Sequence, residues 1–406
     1  MEKLSNNRKL ILLAAVFLQF TYGIAYVWSV FQPYVKKNFV LNNGQANMPF
    51  GVLLAMFSLG NILAGALKKH WSPRYIIIMG NGLFLLGLLL CTQIPNNRGE
   101  LLVLTYGVMT GLGAGVGYNT TIATVQKWFP DKRGFATGVL ICATGSFGLI
   151  MNPIANIVLS KYGFSYGVYT VTAIVAFCMI IGNGWIKEPK DFTVNDLTLN
   201  TSVNYTVVEV LKLPQYYLIT LTMMLAVPGY MLLNPMLMTL GAERGLNERT
   251  ALYGVMLVAI FNTFGRLIAP WISDKLGRKN VVMLIFVIDI MAVIAVASLR
   301  NTWFLAGIGV LGFAYGGFMG IYPAITADYF GIKNNGSNYG LVMIGYGISS
   351  IACPYLVKAV QASAAGEQLS FFIAAAAGII GLILIKLLNK PRQVNNRSKK
   401  VEIMEV

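Results

Sequence analysis

The sequence predicts an all-α membrane protein of twelve transmembrane helices, arranged as two six-helix pseudo-symmetric bundles. Three observations carry this. Hydrophobic residues make up 56% of the 406-residue chain and charged residues only 11%, with a mean hydropathy of +0.65. A water-soluble domain of that composition would expose far too much apolar surface. Apolar stretches about 20 residues long, enough to cross roughly 30 Å of hydrocarbon, recur along the chain. The two halves of the chain also echo one another.

The first six spans are read at 10–35, 47–67, 75–94, 100–126, 134–160 and 164–186. The second six are read at 214–240, 250–272, 280–299, 302–327, 338–361 and 368–388. Between them the polar stretch Lys187–Leu213 divides the chain near its midpoint. The expected units are a bundle over 1–187, a central loop over 188–213, a second bundle over 214–389 and a basic tail over 390–406. Met1 leads straight into an apolar run with no small-residue cleavage pattern, so no removable signal is expected. WFPDKRGFATG at Trp128–Gly138 rhymes with YFGIKNNGSNYG at Tyr329–Gly340, and LKKHWSPR at Leu67–Arg74 with ISDKLGR at Ile272–Arg278. Both shifts are near half the chain length, which indicates parallel repeats about an axis along the membrane normal. Binding sites in such proteins lie between the halves, near the midplane.

A net charge of +16 raises the question of nucleic acid. The placement of the charge answers it. With Met1 inside, only Lys36, Lys37, Arg98, Lys161, Arg244, Arg249, Arg300 and Lys358 fall on the outer side. Nearly all the other lysines and arginines fall in the termini and even-numbered loops, which places both termini in the cytoplasm. The charge is topogenic, and no nucleic-acid partner is expected. The four cysteines are scattered through apolar spans and suggest neither disulfides nor a metal site. His70, the one histidine, stands in a loop among lysines, so neither metal-dependent nor triad catalysis can be assembled. The expected protein is not an enzyme, and no cofactor or metal is called for.

Arg266 is the focal residue. It lies inside the apolar run Leu252–Arg278, where an arginine near a span's centre costs on the order of 2.5–3.5 kcal/mol on insertion scales. Such a charge is expected to face a cavity or a partner, and a transported anion is a suitable partner. The plainer reading is that Arg266 snorkels towards Ile272, six residues or about 9 Å along the axis. Asn262, one turn earlier, shares its face and makes a polar stripe the better reading.

Other spans offer further lining. Gln19, Tyr22 and Tyr26 share a face of the first helix, and Tyr315, Phe318 and Tyr322 share one of the tenth. The run Gly111–Gly117 precedes Tyr118 and Asn119; its spacing, with no strand before it, suits close helix packing rather than nucleotide binding. Asp289 is the one carboxylate well inside a span. It is a candidate proton site, weighed against a neutral or interhelically hydrogen-bonded aspartate.

Ile272–Lys279, ISDKLGRK, resembles the inter-helix loop of the major facilitator superfamily. Taken with WFPDKRG (Trp128–Gly134), FNTFGR (Phe261–Arg266) and LPQYY (Leu213–Tyr217), the chain resembles the oxalate/formate antiporter family, bacterial relatives of the monocarboxylate porters. The resemblance implies a gating loop of Asp274, Gly277 and Arg278, in which the glycine permits a tight turn and the charges latch one conformer. In the first half Lys69 and Ser72 stand where the acid and glycine would be, so that latch is absent or weaker there. The resemblance also implies that Arg266 contacts a substrate carboxylate and that Tyr26, Tyr118 and Tyr315 are caging aromatics. The second basic residue of oxalate-exchanging members falls on Tyr346, so the lysine is missing. The aspartate of proton-coupled monocarboxylate porters falls on Asn262, and the first span has no lysine.

One guanidinium balances one carboxylate, whereas a dianion would leave about one charge unpaired at depth. The expected function is secondary active transport of a small monocarboxylate of the lactate, pyruvate or formate type, by alternating access. Oxalate/formate-type dicarboxylate exchange and multidrug efflux by the same fold remain open; the latter would want an acid in the cavity. A membrane sensor or scaffold without flux is a third class, disfavoured by the short tail after Asn389. Antiport and symport both stand, with protons as candidate co-substrates. The expected partners are a small carboxylate and the bilayer, the expected setting a cell (bacterial inner) membrane, and the expected state a monomer.

Overall fold

In a computed structural model the described residues are 2–68, 70–129, 133–189, 204–331, 334–360 and 366–389. Most of the expected central loop and all of the basic tail lie outside them, as do Lys69 and the centre of the WFPDKRG stretch. The described residues form helices and connecting turns, with no strand among them. Among the described residues ten helices are long and apolar enough to cross a membrane, eleven if the bent pair Arg8–Thr21 and Ile24–Phe39 counts as one span. The remaining span of the predicted set, the fourth, winds as a wider π-helix over Val103–Thr110 before continuing as α-helix.

The first half contains α1 (Glu2–Thr21), α2 (Trp28–Phe39), α3 (Asn43–Leu67), α4 (Pro73–Cys91), α5 (Gly111–Trp128), α6 (Arg133–Tyr162) and α7 (Phe164–Trp185). The predicted first span is broken after Thr21, passes through a 3-10 turn at Ile24–Val27 and bends by 43°. Gly23 allows the break: a Cβ there would overlap the Thr144 carbonyl oxygen of α6. The Thr21 hydroxyl donates back to the Leu18 carbonyl at 2.7 Å, a local bond that competes with the helix ladder. The break corrects the expected Gln19–Tyr22–Tyr26 face. Tyr22 donates to Asn81 Oδ1 at 2.8 Å inside the first bundle, while Tyr26 turns towards the other bundle. The helix starts follow local chemistry: Asn42 and Gln45 form a capping box before α3, and Pro73 opens α4. The glycine run of α5 sits between neighbours as expected. A Cβ on Gly111 or Gly115 would overlap carbonyl oxygens of α3, and one on Gly113 would overlap the Gly80 carbonyl of α4.

The second half begins after a short helix, α8 (Val207–Val210), itself started by a Thr206–Glu209 capping box. It contains α9 (Pro214–Ala226), α10 (Pro228–Leu233), α11 (Leu237–Glu243), α12 (Glu248–Leu276), α13 (Arg278–Ser298), α14 (Asn301–Phe330), α15 (Asn335–Val360) and α16 (Gly366–Leu387). The seventh span, predicted as one helix, is interrupted at Val227 and again by a 3-10 turn at Asn234–Met236. Pro228 and Pro235 explain this, since each lacks the amide that would continue the ladder.

Within the halves, α3 packs on α5, α4 on α5, α12 on α14 and α13 on α16. The most extensive pairings between the halves are α3 with α15 and α6 with α12; α2 also meets α11, where Thr239 donates to Gln32 Oε1 at 2.8 Å. The α3–α15 contact runs along the helices. A Cβ would lie 3.1 Å from Lys358 Cβ at Gly44, 2.8 Å from Pro354 Cγ at Gly51 and 2.7 Å from Ser337 Oγ at Gly65. Phe177, Ile180 and Trp303 point outward and are largely exposed, as lipid-facing side chains should be.

Candidate substrate site

Arg266 does not snorkel. It is 5% exposed and lies where α12 of the second half meets α6 of the first. A Cβ on Gly145 of α6 would stand 3.6 Å from Arg266 Cδ, so the side chain passes directly over that glycine. Its Nε donates to Asn262 Oδ1 at 3.0 Å, as the one-turn spacing predicts. Its Nη2 donates across the interface to the Tyr26 hydroxyl, and Cζ lies 5.6 Å from the Tyr26 ring centre. Among the described residues no carboxylate lies within ion-pair distance of it. The positive charge is hydrogen-bonded but not neutralised, so an anionic oxygen can still gain strongly by binding there.

The surroundings are phenolic. The Tyr26 ring meets Tyr230 edge-on at 6.5 Å, and Tyr230 stacks flat on Tyr315 with centres 3.8 Å apart and planes 6° apart. The Tyr315 and Tyr346 hydroxyls are hydrogen-bonded at 2.9 Å. Tyr118 packs edge-on to Phe57 at 5.1 Å. Tyr26, Tyr315, Tyr118 and Tyr230 lie in the buried surroundings of the guanidinium, as do Tyr339 and Tyr346. The sequence-predicted Arg266, Asn262, Tyr26, Tyr118, Tyr315 and Tyr346 are therefore brought together from α12, the broken first span, α5, α14 and α15.

The arrangement rests on closely packed backbones. A Cβ on Gly316 of α14 would overlap the Asn262 carbonyl oxygen, and one on Gly320 would come within 2.9 Å of the Arg266 carbonyl oxygen. Only glycine permits α12 and α14 to approach this closely, and the approach sets Arg266 at its depth.

Tyr322 is not brought to the cluster. It lies two turns beyond Tyr315, about 10 Å along the axis, with its ring on Phe318 and its buried hydroxyl without a hydrogen-bond partner. Asp289 is also elsewhere: it is 3% exposed on α13 and faces α16, where a Cβ on Gly378 would be 3.8 Å from its Oδ2. The loop residues form a tight cluster of their own. Gly277 adopts φ +86°, a conformation glycine takes without strain. Arg278 pairs with Asp274 at 2.5 Å and Asp328 at 3.4 Å, and donates to the Pro270 carbonyl at 3.1 Å. These pairs lie within the second half rather than across to the first. Asp328, at the end of α14, was not singled out from the sequence.

Tyr230 and Tyr339 were missed as well. Tyr230 lies in VPGYMLLNP, between the two prolines that break the seventh span; an interrupted helix is a known pointer to a binding site. The Tyr230 hydroxyl donates to Asn234 Oδ1 at 3.0 Å, and Asn234 Nδ2 reaches the Ala25 carbonyl of the first span at 3.5 Å. Tyr339 stands seven residues before Tyr346, in the YFGIKNNGSNYG stretch whose sequence signals only the repeat.

The two helical halves meet at a buried guanidinium, and the comparisons with known proteins make the chain a transporter rather than an enzyme. The chain belongs to the Major Facilitator Superfamily, whose sequence profile matches residues 11–303 and 219–403. It is a multi-pass membrane transporter of that superfamily. An uncharacterized MFS-type transporter of Escherichia coli (strain K12), YhjX, is 27% identical over 348 residues, covering 85% of this chain and 86% of its own. The oxalate:formate antiporter of Oxalobacter formigenes is 24% identical over 386 residues, 94% of this chain and 91% of the antiporter. Among solved structures, the nucleoside transporter NupG matches with a TM-score of 0.70 at 15% identity, covering 94% of this chain and 100% of that one. The E. coli fucose:proton symporter FucP matches with a TM-score of 0.65 at 16% identity, covering 94% and 99%. The likeness to these two lies in the fold.

Proposed function

We propose that the protein carries a small monocarboxylate of the lactate, pyruvate or formate type by alternating access, with Arg266 binding the carboxylate between the two bundles. The supporting observation is the charge balance. One buried guanidinium is surrounded by uncharged phenols, and Tyr346 stands where the resemblance implies a second cation. A monoanion matches this, while a dianion would keep about one charge unpaired, at several kcal/mol. The linked Tyr315 and Tyr346 hydroxyls supply donors for a substrate hydroxyl or keto oxygen. On this reading Asn262, Tyr118 and the ring of Tyr26 complete the site, Asp274, Gly277 and Arg278 serve gating, and Asp289 is the candidate proton carrier. The proposal includes a monomer in a bacterial inner membrane with both termini cytoplasmic. It also includes unit boundaries near 188 and 213.

The Oxalobacter relative favours a second reading, exchange of oxalate with formate. Uptake of labelled lactate, formate and oxalate into proteoliposomes separates the two. The proposal expects saturable lactate or formate uptake and at least tenfold weaker oxalate uptake. Preference for oxalate would refute it.

A further inference from the structure

We propose that Tyr26 is an internal competitor for Arg266: its hydroxyl takes the guanidinium whenever the two bundles close without a carboxylate. The carrier can then return unloaded, so it moves substrate in net fashion and is not confined to exchange. The proposal rests on the reading of Arg266 as the anion-binding group, and deepens it.

A bare guanidinium sealed between two bundles would be strongly unfavourable, and that penalty is one physical way to forbid an unloaded return. Here the protein supplies its own ligand. Tyr26 belongs to the first half and Arg266 to the second, so the Nη2 bond to the Tyr26 hydroxyl ties the halves together at substrate depth. Both residues are buried, at 8% and 5% exposure. The hydroxyl uses the same donor edge that a carboxylate would need for a two-point grip, so both cannot hold it fully at once. Being neutral, the phenol is the weaker ligand, and substrate displaces it when present.

The fit is built by the sequence around it. The break after Thr21 turns Tyr26 out of the first bundle. Gly148 and Gly145 of α6 leave a groove there: a Cβ on Gly148 would lie 2.9 Å from Tyr26 Cβ, and one on Gly145 would lie 2.9 Å from Thr263 Oγ1. Asn262 holds Nε and leaves the outer edge of the guanidinium to Tyr26.

The test compares two modes in proteoliposomes loaded and unloaded with lactate, with the membrane potential clamped by potassium and valinomycin. Wild type should show net uptake of labelled lactate within tenfold of its counterflow rate; counterflow without net uptake overturns the proposal and leaves the carboxylate reading intact. Absence of both modes, for lactate and formate alike, overturns the carboxylate reading and this proposal with it. Tyr26→Phe keeps the ring and its edge contact with Tyr230. It should tighten lactate binding to the purified protein about tenfold and lower the ratio of net uptake to counterflow at least tenfold. Weaker or unchanged lactate binding would instead make Tyr26 a plain substrate contact or a bystander.

Discussion

Gly316→Ala tests whether helix packing, rather than the polar residues alone, sets the site. The added methyl would overlap the Asn262 carbonyl oxygen and lie 2.8 Å from its carbonyl carbon and 2.9 Å from Oδ1. Carbon–carbon contacts settle at about 3.5–4.0 Å, so α12 and α14 must part by about 1 Å. Overpacking of this kind costs roughly 1–3 kcal/mol. The shift also moves Asn262, whose Oδ1 orients Arg266. A misplacement of about 1 Å can cost on the order of 100-fold in a positioned reaction, and a comparable loss of transport is expected. Gly82→Ala is the control, because a Cβ there meets nothing within 4 Å; in a helix interior it should stabilise by up to about 1 kcal/mol. Thermal midpoints in detergent and lactate uptake in proteoliposomes read both variants. If Gly316→Ala behaves like Gly82→Ala in either assay, the packing argument is wrong.

Other outcomes follow from the same geometry. Tyr346→Lys restores a second cation beside Arg266 and should raise the ratio of oxalate to lactate uptake at least tenfold. Asn262→Asp places a carboxylate against the guanidinium; lactate binding should weaken by tenfold or more as the internal ion pair competes, which a direct binding assay checks. Asp274→Asn removes an exposed partner of Arg278 and should change the thermal midpoint by the equivalent of less than about 1 kcal/mol, while altering transport rate more than lactate affinity. Lys68, in the loop after α3, is pushed down to about 8 by burial and then by the neighbouring Lys127. The unfolded chain therefore holds more protons than the folded one between about 8 and 10.5, so stability rises with pH across that window. The thermal midpoint of Lys68→Met should lose that rise.

Much of the fold was legible because a bilayer admits few solutions. Runs of apolar residues had to be helices, and the rhyme between Trp128–Gly138 and Tyr329–Gly340 indicated paired halves. The glycines of α5 were legible too, since a string of small residues in an apolar span has few uses besides close approach. Helix breaks were less so. Pro228 and Pro235 were visible, but Thr21–Gly23 carries a weak local signal, and the bend there depends on α6 lying against Gly23. That bend is why the face read as Gln19, Tyr22 and Tyr26 divides between two bundles. At the site, Arg266 and Asn262 followed from one helix's periodicity alone. Tyr26, Tyr118, Tyr315 and Tyr346 needed the family resemblance, because tyrosines in apolar spans are common. Tyr322 shows the limit: it shares a helical face with Tyr315, yet two turns carry it to different neighbours. Tyr230 depended on tertiary stacking against Tyr315, which no spacing rule encodes.

Arg266 is proposed to bind the carboxylate of a monoanion. Equilibrium binding of labelled lactate to purified wild type, Arg266→Lys and Arg266→Ala tests that role without the complications of flux. Wild type should bind saturably; lysine, whose ammonium cannot offer two parallel donors, should cause a large loss, and alanine should bind none at unchanged thermal midpoint. Lactate bound by folded Arg266→Ala as tightly as by wild type would contradict that role.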